Sequence, residues 1–479
     1  MPSHALLIHG YSESSLASYA AFPSVLAKTA PELGNRIALS AFDSLDDGVT
    51  IDDLADGLEI RMLALEAQGW KTNDAAVICH STGALVARRW MLNRLGTDKP
   101  LPTHFISMAG ANHGSSLAQM GRTPLSYAHE YLTKKSVGVG ARVLIDLDYG
   151  SDFLLRLNRE WLTHRFAVPK NDDQRLAGMY VFSMGGDSLG PDPAVRLLWA
   201  SSEHGSDNTV RISGANLNYS YFIADPAVGL LHPLPRGKEP HLIVPGKSHY
   251  GTQDGILASN TEPTDAPMLA IREALDVSDS TAYRGVVDRW SARNDQWKLG
   301  PAQNDCKDPS VEEKTNEQVH VDSSLLFYLH DRGGRSIDEC FIGLLDANEP
   351  GLDADRPQVT HDPLIAAMLK IGSAIEPASP IQNNVQHGSY SFYLNTALFN
   401  AMEHCVTIEA GAIGQCVPFD PVTYKVEPND TLRLVEPNEF TYVDVVMPRD
   451  ASPSYAIYDS TVPIDPSPWR PFPSVGRMS

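Results

Sequence analysis

The stretch that most constrains this chain runs from Ala75 to Ala87. Ala75 to Cys79 are apolar or small and read as a short buried strand, while from Ala84 onward the composition favours helix. Between the two, His80-Ser81-Thr82-Gly83 has to turn sharply. A serine at a strand-to-helix corner is pushed out of the sheet and sits over a helix N-terminus, whose free N–H groups can hold an anion. Acyl transfer needs this pairing of an exposed hydroxyl nucleophile with backbone donors for the oxyanion. Serines in strand–turn–helix units are common without any such chemistry, so the flanking sequence has to decide.

On either side, strands and helices alternate. His4–Ile8, Arg36–Phe42, Thr103–Ala109, Met179–Ser183 and His241–Val244 read as strands. Leu16–Lys28 and Ile51–Gln68 read as helices, the second opened by Thr50 as cap with Asp52 and Asp53 in its first turn. Ile51, Leu54, Leu58, Met62 and Leu65 fall on one face of it. Parallel strands need crossover helices of this kind, which predicts an α/β chain with a doubly wound, mostly parallel sheet.

The length of 479 residues allows roughly two or three domains. With 38 basic against 59 acidic residues the formal charge is −21, and no basic run offsets it, so nucleic acid is excluded as a partner. The five cysteines (Cys79, Cys306, Cys340, Cys405, Cys416) are odd in number and scattered, and read as free thiols in a reducing compartment. A Cys405–Cys416 or Cys306–Cys340 bridge is left open. The N-terminus lacks the basic region and longer apolar run of a signal peptide, and no apolar run of about 20 residues is present to span a bilayer. A cytoplasmic location is therefore expected, with export by a signal-independent route left open. No residue spacing demands a metal, and no cofactor is expected.

Cys79-His80-Ser81-Thr82-Gly83 resembles the nucleophile elbow of the α/β-hydrolases, Gly-x-Ser-x-Gly, with Cys79 in the place of the first glycine. The turn crowds that position, and cysteine is among the smaller replacements. His9-Gly10-Tyr11, at the end of the first strand, is similar to the His-Gly that bacterial lipases place beside the elbow. By that resemblance the N–H groups of Tyr11 and Thr82 form the oxyanion hole. Gly110–Ser116 is similar to the turn that leads into a lipase cap, and Gly150–Asn158 resembles a segment of the same branch. Residues 117–173 are accordingly expected as a helical lid, or else as a helical excursion packed on the sheet.

Two aspartates compete for the acid. Asp187 lies in Gly186-Asp187-Ser188-Leu189, which matches the nucleophile block of a different hydrolase family. That family takes its base from Asp-x-x-His, and none of the 16 histidines here has an aspartate three residues before it. Asp207, in Gly205-Ser206-Asp207-Asn208-Thr209-Val210, resembles the lipase Asp-Gly-x-Val acid loop. Ser248-His249-Tyr250-Gly251 follows the last strand, where the superfamily carries its base. The order Ser81, Asp207, His249 is the superfamily's order. The resemblance covers about residues 3–280 and implies a serine hydrolase of carboxylic esters: lipase, esterase or phospholipase, with a lipid or other ester as substrate and transient contact with a lipid surface. Cleavage of amides or thioesters, acyl transfer, and a silent binding protein of the same fold are the alternatives. His9, His80 and His113 are placed at the mouth of the substrate pocket or as structural residues.

Beyond residue 316 the hydrophobic period changes to two. Residues 1–293 are expected as the catalytic domain, 294–316 as a polar linker and 317–479 as an all-β, sandwich-like domain. Its expected strands are Val319–His330, Cys340–Asp346, Tyr390–Asn395, Cys405–Glu409, Tyr424–Glu427, Thr431–Val435 and Phe440–Met447, with a helix over Asp362–Ile371.

Overall fold

The computed structural model describes residues 1–11, 19–34, 36–115, 118, 138–167, 178–188, 205–225, 229–258, 260–299, 321–337, 340–346, 381–383, 385–386, 388–400, 404–410, 419, 422–425 and 433–448. Six strands build a parallel sheet: β1 (His4–Ile8), β2 (Ile37–Leu39), β3 (Ala75–His80), β4 (His104–Met108), β5 (Tyr180–Gly186) and β8 (His241–Val244). Their order is β2-β1-β3-β4-β5-β8. Among the described residues the α-helices are α1 (Phe22–Thr29), α2 (Ile51–Ala67), α3 (Gly83–Arg94), α4 (Ala141–Leu147), α5 (Asp152–Ala167), the short α6 (Ile212–Ala215), α7 (Ala266–Leu275), α8 (Ser280–Leu299) and the short α9 (Thr396–Asn400).

Both faces of this sheet are covered, and its sequences show why. Leu6, Ile8, Val77, Cys79, Phe105 and Val181 point into one core with α2, α3 and α5. Ala5, Leu7, Ala76, Ile78, Ile106 and Phe182 alternate with them and point into a second core with α1, α7 and α8. Side chains of period two, apolar on both sides, read as nearly continuous hydrophobic runs. The expected opening of α2 is present as a capping box: Thr50 Oγ1 accepts from the Asp53 N–H at 3.1 Å, and Asp53 Oδ2 accepts from the Thr50 N–H at 2.9 Å.

Among the described residues, nine of the remaining strands make one mixed sheet, in the order β12-β15-β16-β7-β6-β17-β11-β14-β13. They are β6 (Tyr219–Asp225), β7 (Leu230–Pro233), β11 (Asp322–His330), β12 (Cys340–Asp346), β13 (Ile381–Gln382), β14 (Ser389–Asn395), β15 (His404–Ala410), β16 (Val422–Lys425) and β17 (Phe440–Val446). The all-β character expected of the C-terminal third thus takes the form of a single sheet. One face, Tyr219, Tyr221, Leu326, Tyr393, Phe440 and Tyr442, joins the first core. The other, including Phe222, Leu325, Phe327, Val443 and Val445, builds a third.

Three observations bear on the expected divisions of the chain. First, β6 and β7 precede residue 293 yet hydrogen-bond into the sheet made by later strands, with Phe440↔Tyr219 through Val445↔Ala224 in parallel register. The assumed boundary therefore does not separate the strands by sequence. Second, of the linker expected over 294–316, the part to Leu299 is helical, with Asn294 paired to the backbone of Ile243 and His241 and Trp297 to Asp187, and the rest lies outside the described residues. Third, within the stretch 117–173 the described helices α4 and α5 pack inside the protein, in keeping with the second of the two expected forms, a helical excursion. Phe153, Leu154, Leu157, Trp161 and Leu162 are buried between α3 and the nine-stranded sheet.

Smaller differences follow the same lines. The first helix begins at Phe22, with residues 12–18 outside the described set. Leu434 and Val435 are not in a strand, and the helix expected over 362–371 lies outside the described residues. Cys79 and Cys340 are free thiols. Among the described residues no helix is long and apolar enough to cross a membrane.

Candidate active site

Ser81 stands at the C-terminal end of β3, the central position of the parallel sheet, where the chain must reverse into α3 at once. Its φ of +55° lies in the left-handed region that a residue with a Cβ adopts only under constraint. The constraint is visible on every side. The Ser81 N–H donates to Met108 O at 3.2 Å, and the Ser81 carbonyl accepts from the N–H groups of Ala84 (3.1 Å) and Ala111 (3.3 Å). Gly83 packs directly on the carbonyls of Ile8 and His9, so that α3 starts hard against the end of β1. Gly10 faces the serine itself: a Cβ there would lie 2.7 Å from Ser81 Cβ and 3.2 Å from Oγ. Cys79, two residues before Ser81, is buried in the first core, where a thiol is tolerated as a small apolar group.

Asp207 and His249 meet across 42 residues. His249 Nδ1 donates to Asp207 Oδ2 at 2.9 Å, and the His249 N–H donates to the Asp207 carbonyl at 2.8 Å. The other carboxylate oxygen, Oδ1, accepts from the N–H groups of Thr209 (3.0 Å) and Val210 (2.7 Å). Both residues are buried. With Nδ1 as the donor, Nε2 is left as the basic nitrogen. Asp187 is elsewhere: its oxygens accept from the Gly246 N–H (2.6 Å) and Trp297 Nε1–H (2.7 Å), and burial raises its carboxyl above the usual range. Of the two competing aspartates, Asp207 is the one on His249.

His249 sits on β9 (Ser248–Gly251), which pairs with β10 (Gly255–Ala258) in a two-stranded ladder separate from both larger sheets. A bond from the elbow reaches it: His80 Nε2 donates to the His249 carbonyl at 3.0 Å, and the two rings lie 4.7 Å apart. Burial, then the neighbouring His249, holds His80 well below the usual histidine range. Sequence reasoning placed His80 near the nucleophile but had no means of seeing this contact, since its partner is 169 residues away.

The other two histidines singled out from sequence are engaged inside the protein. His9 donates through Nδ1 to Gly10 O (2.8 Å), accepts at Nε2 from the Phe42 N–H (3.2 Å), and stacks on Phe42. His113 is fully buried, donating to Asn216 O (2.8 Å) and accepting from the Tyr442 hydroxyl (3.0 Å). Tyr442 in turn accepts from Asn158 Nδ2 (2.8 Å), and Arg88, buried over the Trp161 ring, donates to Asn158 and to the Asn112 carbonyl. This polar seam joins α3, α5, the loop after β4 and the nine-stranded sheet. Tyr11 follows Gly10 and is anchored by its hydroxyl to the Val139 carbonyl, while Thr82 is buried at the start of α3. Among the described residues no group of three or more His, Cys, Asp or Glu is placed to hold a metal ion.

The chain matches the phospholipase PlaB from Legionella pneumophila with a TM-score of 0.76 and 21% identity, over 97% of each chain. It has the α/β-hydrolase fold. The same phospholipase in complex with thio-NAD matches at a TM-score of 0.73 and 21% identity, over 96% of this chain and 97% of that one. A lipase of Bacillus licheniformis, BlEst2 in its mature form, aligns with 45% of this chain and 79% of its own at a TM-score of 0.33 and 14% identity. No protein-family model and no curated protein matches the chain. The full-length likeness to PlaB extends the shared architecture through the nine-stranded sheet, well past the roughly 280 residues that the sequence motifs reach.

Proposed function

We propose that this α/β-hydrolase is a serine hydrolase cleaving carboxylic esters of lipids, with Ser81 as nucleophile, His249 as general base and Asp207 as its partner. The observation that carries this reading is the Asp207–His249 pair. Its carboxylate is held by two backbone N–H groups and receives the imidazole Nδ1–H, leaving Nε2 to act as base. Ser81 Oγ attacks the acyl carbonyl while His249 Nε2 takes its proton. The N–H groups of Tyr11 and Thr82 stabilise the tetrahedral oxyanion, each worth on the order of 3 kcal/mol. Collapse expels the alcohol, which leaves with the proton from His249. Water, activated by the same nitrogen, then attacks the acyl-enzyme and releases the acid.

A phospholipid-type substrate is favoured by the full-length likeness to a phospholipase, and the formal charge of −21 favours zwitterionic over anionic surfaces. The test is a panel of p-nitrophenyl esters of rising chain length together with phosphatidylcholine vesicles, run with the wild type and Ser81→Ala. Acid release that is lost in Ser81→Ala supports the reading. Folded wild-type protein that hydrolyses none of these and does not react with a fluorophosphonate refutes it. Fluorophosphonate labelling without ester turnover moves the substrate to an amide or thioester.

A further inference from the structure

His249 is the moving part of the proposed mechanism, yet it is carried on a two-stranded ladder that pairs with neither large sheet. Two of its anchors come from one residue: Asp207 takes the ring Nδ1–H through Oδ2 and the backbone N–H through its carbonyl. Contacts from one residue leave a side chain free to pivot about that residue. The next residue, Tyr250, is half exposed at 52%, and Gly251 follows it, so the chain beyond His249 runs into solvent. The third anchor is His80. Because a carbonyl only accepts, Nε2 of His80 carries the hydrogen, and its Nδ1 lies on the side of Gly10. His80 is itself fixed in β3, the residue immediately before Ser81.

We infer that His80 is a positioning residue for His249: by holding the His249 carbonyl from the strand end that carries Ser81, it sets the base and the nucleophile in one frame. Its ring donates a hydrogen bond in the neutral form and rests against the base without competing for its proton. The catalytic consequence rests on the proposed function; the positioning itself does not. In a well-packed site a displacement of roughly 1 Å costs up to about 100-fold in rate. His80→Phe keeps the ring and removes the donor, and His80→Gln restores an N–H at the reach of Nε2. His80→Asn is one bond too short to restore it.

For p-nitrophenyl butyrate, His80→Phe and His80→Asn are expected to lose about 10- to 100-fold in kcat with KM changed by less than about threefold, and His80→Gln to recover most of the loss. In proton NMR the far-downfield resonance of the Asp207–His249 hydrogen bond, assigned by its absence in Asp207→Asn, is expected in the wild type and His80→Gln and shifted or broadened away in the other two. Should His80→Phe fail to fold, the Asn and Gln pair carries the comparison. Unchanged kcat and unchanged resonance in folded His80→Phe or His80→Asn overturn the inference, as does a His80→Gln as impaired as His80→Asn. If the wild type hydrolyses no ester, the proposed function fails, and the resonance alone decides the position of His249.

Discussion

Replacing Gly10 by alanine isolates the geometry of the elbow from its chemistry. Gly10 is outside the left-handed region, so the backbone accepts a Cβ without conformational strain and only space is at issue. The new methyl would sit 2.7 Å from Ser81 Cβ, where ordinary van der Waals contact begins at 3.4 Å. One of the two must therefore give by about 0.7 Å, which at this scale costs on the order of 30- to 100-fold in rate. Ser81 is already at φ +55° and tied through its N–H and carbonyl, so it cannot move without loosening those bonds. The accompanying loss of stability is about 1–3 kcal/mol, the usual cost of overpacking. Gly57→Ala is the matched control: it lies within α2 with nothing inside 4 Å of the added methyl, and should gain about 0.5–1 kcal/mol at unchanged activity. Initial rates on p-nitrophenyl butyrate and thermal melts of both variants test the pair. Gly10→Ala with kcat within about threefold of wild type would refute the steric argument, since the substrate is small enough to read the nucleophile alone.

The two aspartates give a second contrast. Asp207→Asn should lower kcat by about 10⁴-fold, because the amide no longer holds the imidazole with Nδ1 as donor. Asp187→Asn should leave kcat within a few-fold while costing about 1–3 kcal/mol in melting experiments, from the weakened acceptor for Gly246 and Trp297. Tyr442→Phe removes the hydroxyl that serves His113 and Asn158 in the buried seam, and urea unfolding should show about 1–3 kcal/mol lost. His330 on β11 gives a pH signature. Both of its ring nitrogens face acceptors, Asp331 O and Asp444 Oδ1. Although burial opposes it, the bond to Asp444 leads the interactions that raise its affinity for a proton above the ordinary histidine value. A raised histidine stabilises fully below its unfolded value and loses that contribution as pH rises through the folded one. The melting temperature of the wild type relative to His330→Gln should therefore be highest near pH 5.5 and decline through neutral pH into the alkaline range; a difference independent of pH would sink the assignment.

What could be read from sequence divides by distance along the chain. The elbow was legible because strand, turn and helix lie within 13 residues, and each local preference agrees with the others. The capping of α2 was legible for the same reason. The Asp207–His249 pairing was legible only as an order of motifs, which is why Asp187 competed until the Trp297 and Gly246 contacts placed it elsewhere. The burial of α5 was not legible, since its apolar residues read equally as a lid face or as core, and what covers them is a sheet formed mostly after residue 320. Tyr219–Asp225 has the aromatic and β-branched composition of a strand, so its existence could have been read; its neighbours β7 and β17 could not.

The detour of the chain into the second sheet has a consequence for how the molecule is made. Between Asp207 and His249 the backbone leaves the parallel sheet, forms β6 and β7, and returns as β8. On the ribosome that hairpin emerges with one long side of β6 bare, because the strand that covers it, β17, lies about 215 residues downstream. An uncovered strand edge is an invitation to pair with another chain, and contacts of such long sequence separation form slowly. The segment between Asp207 and His249 is thus seated only when Phe440–Val446 has been synthesised and docked. Nascent chains and fragments that lack Phe440–Val446 should accordingly be inert and prone to aggregate.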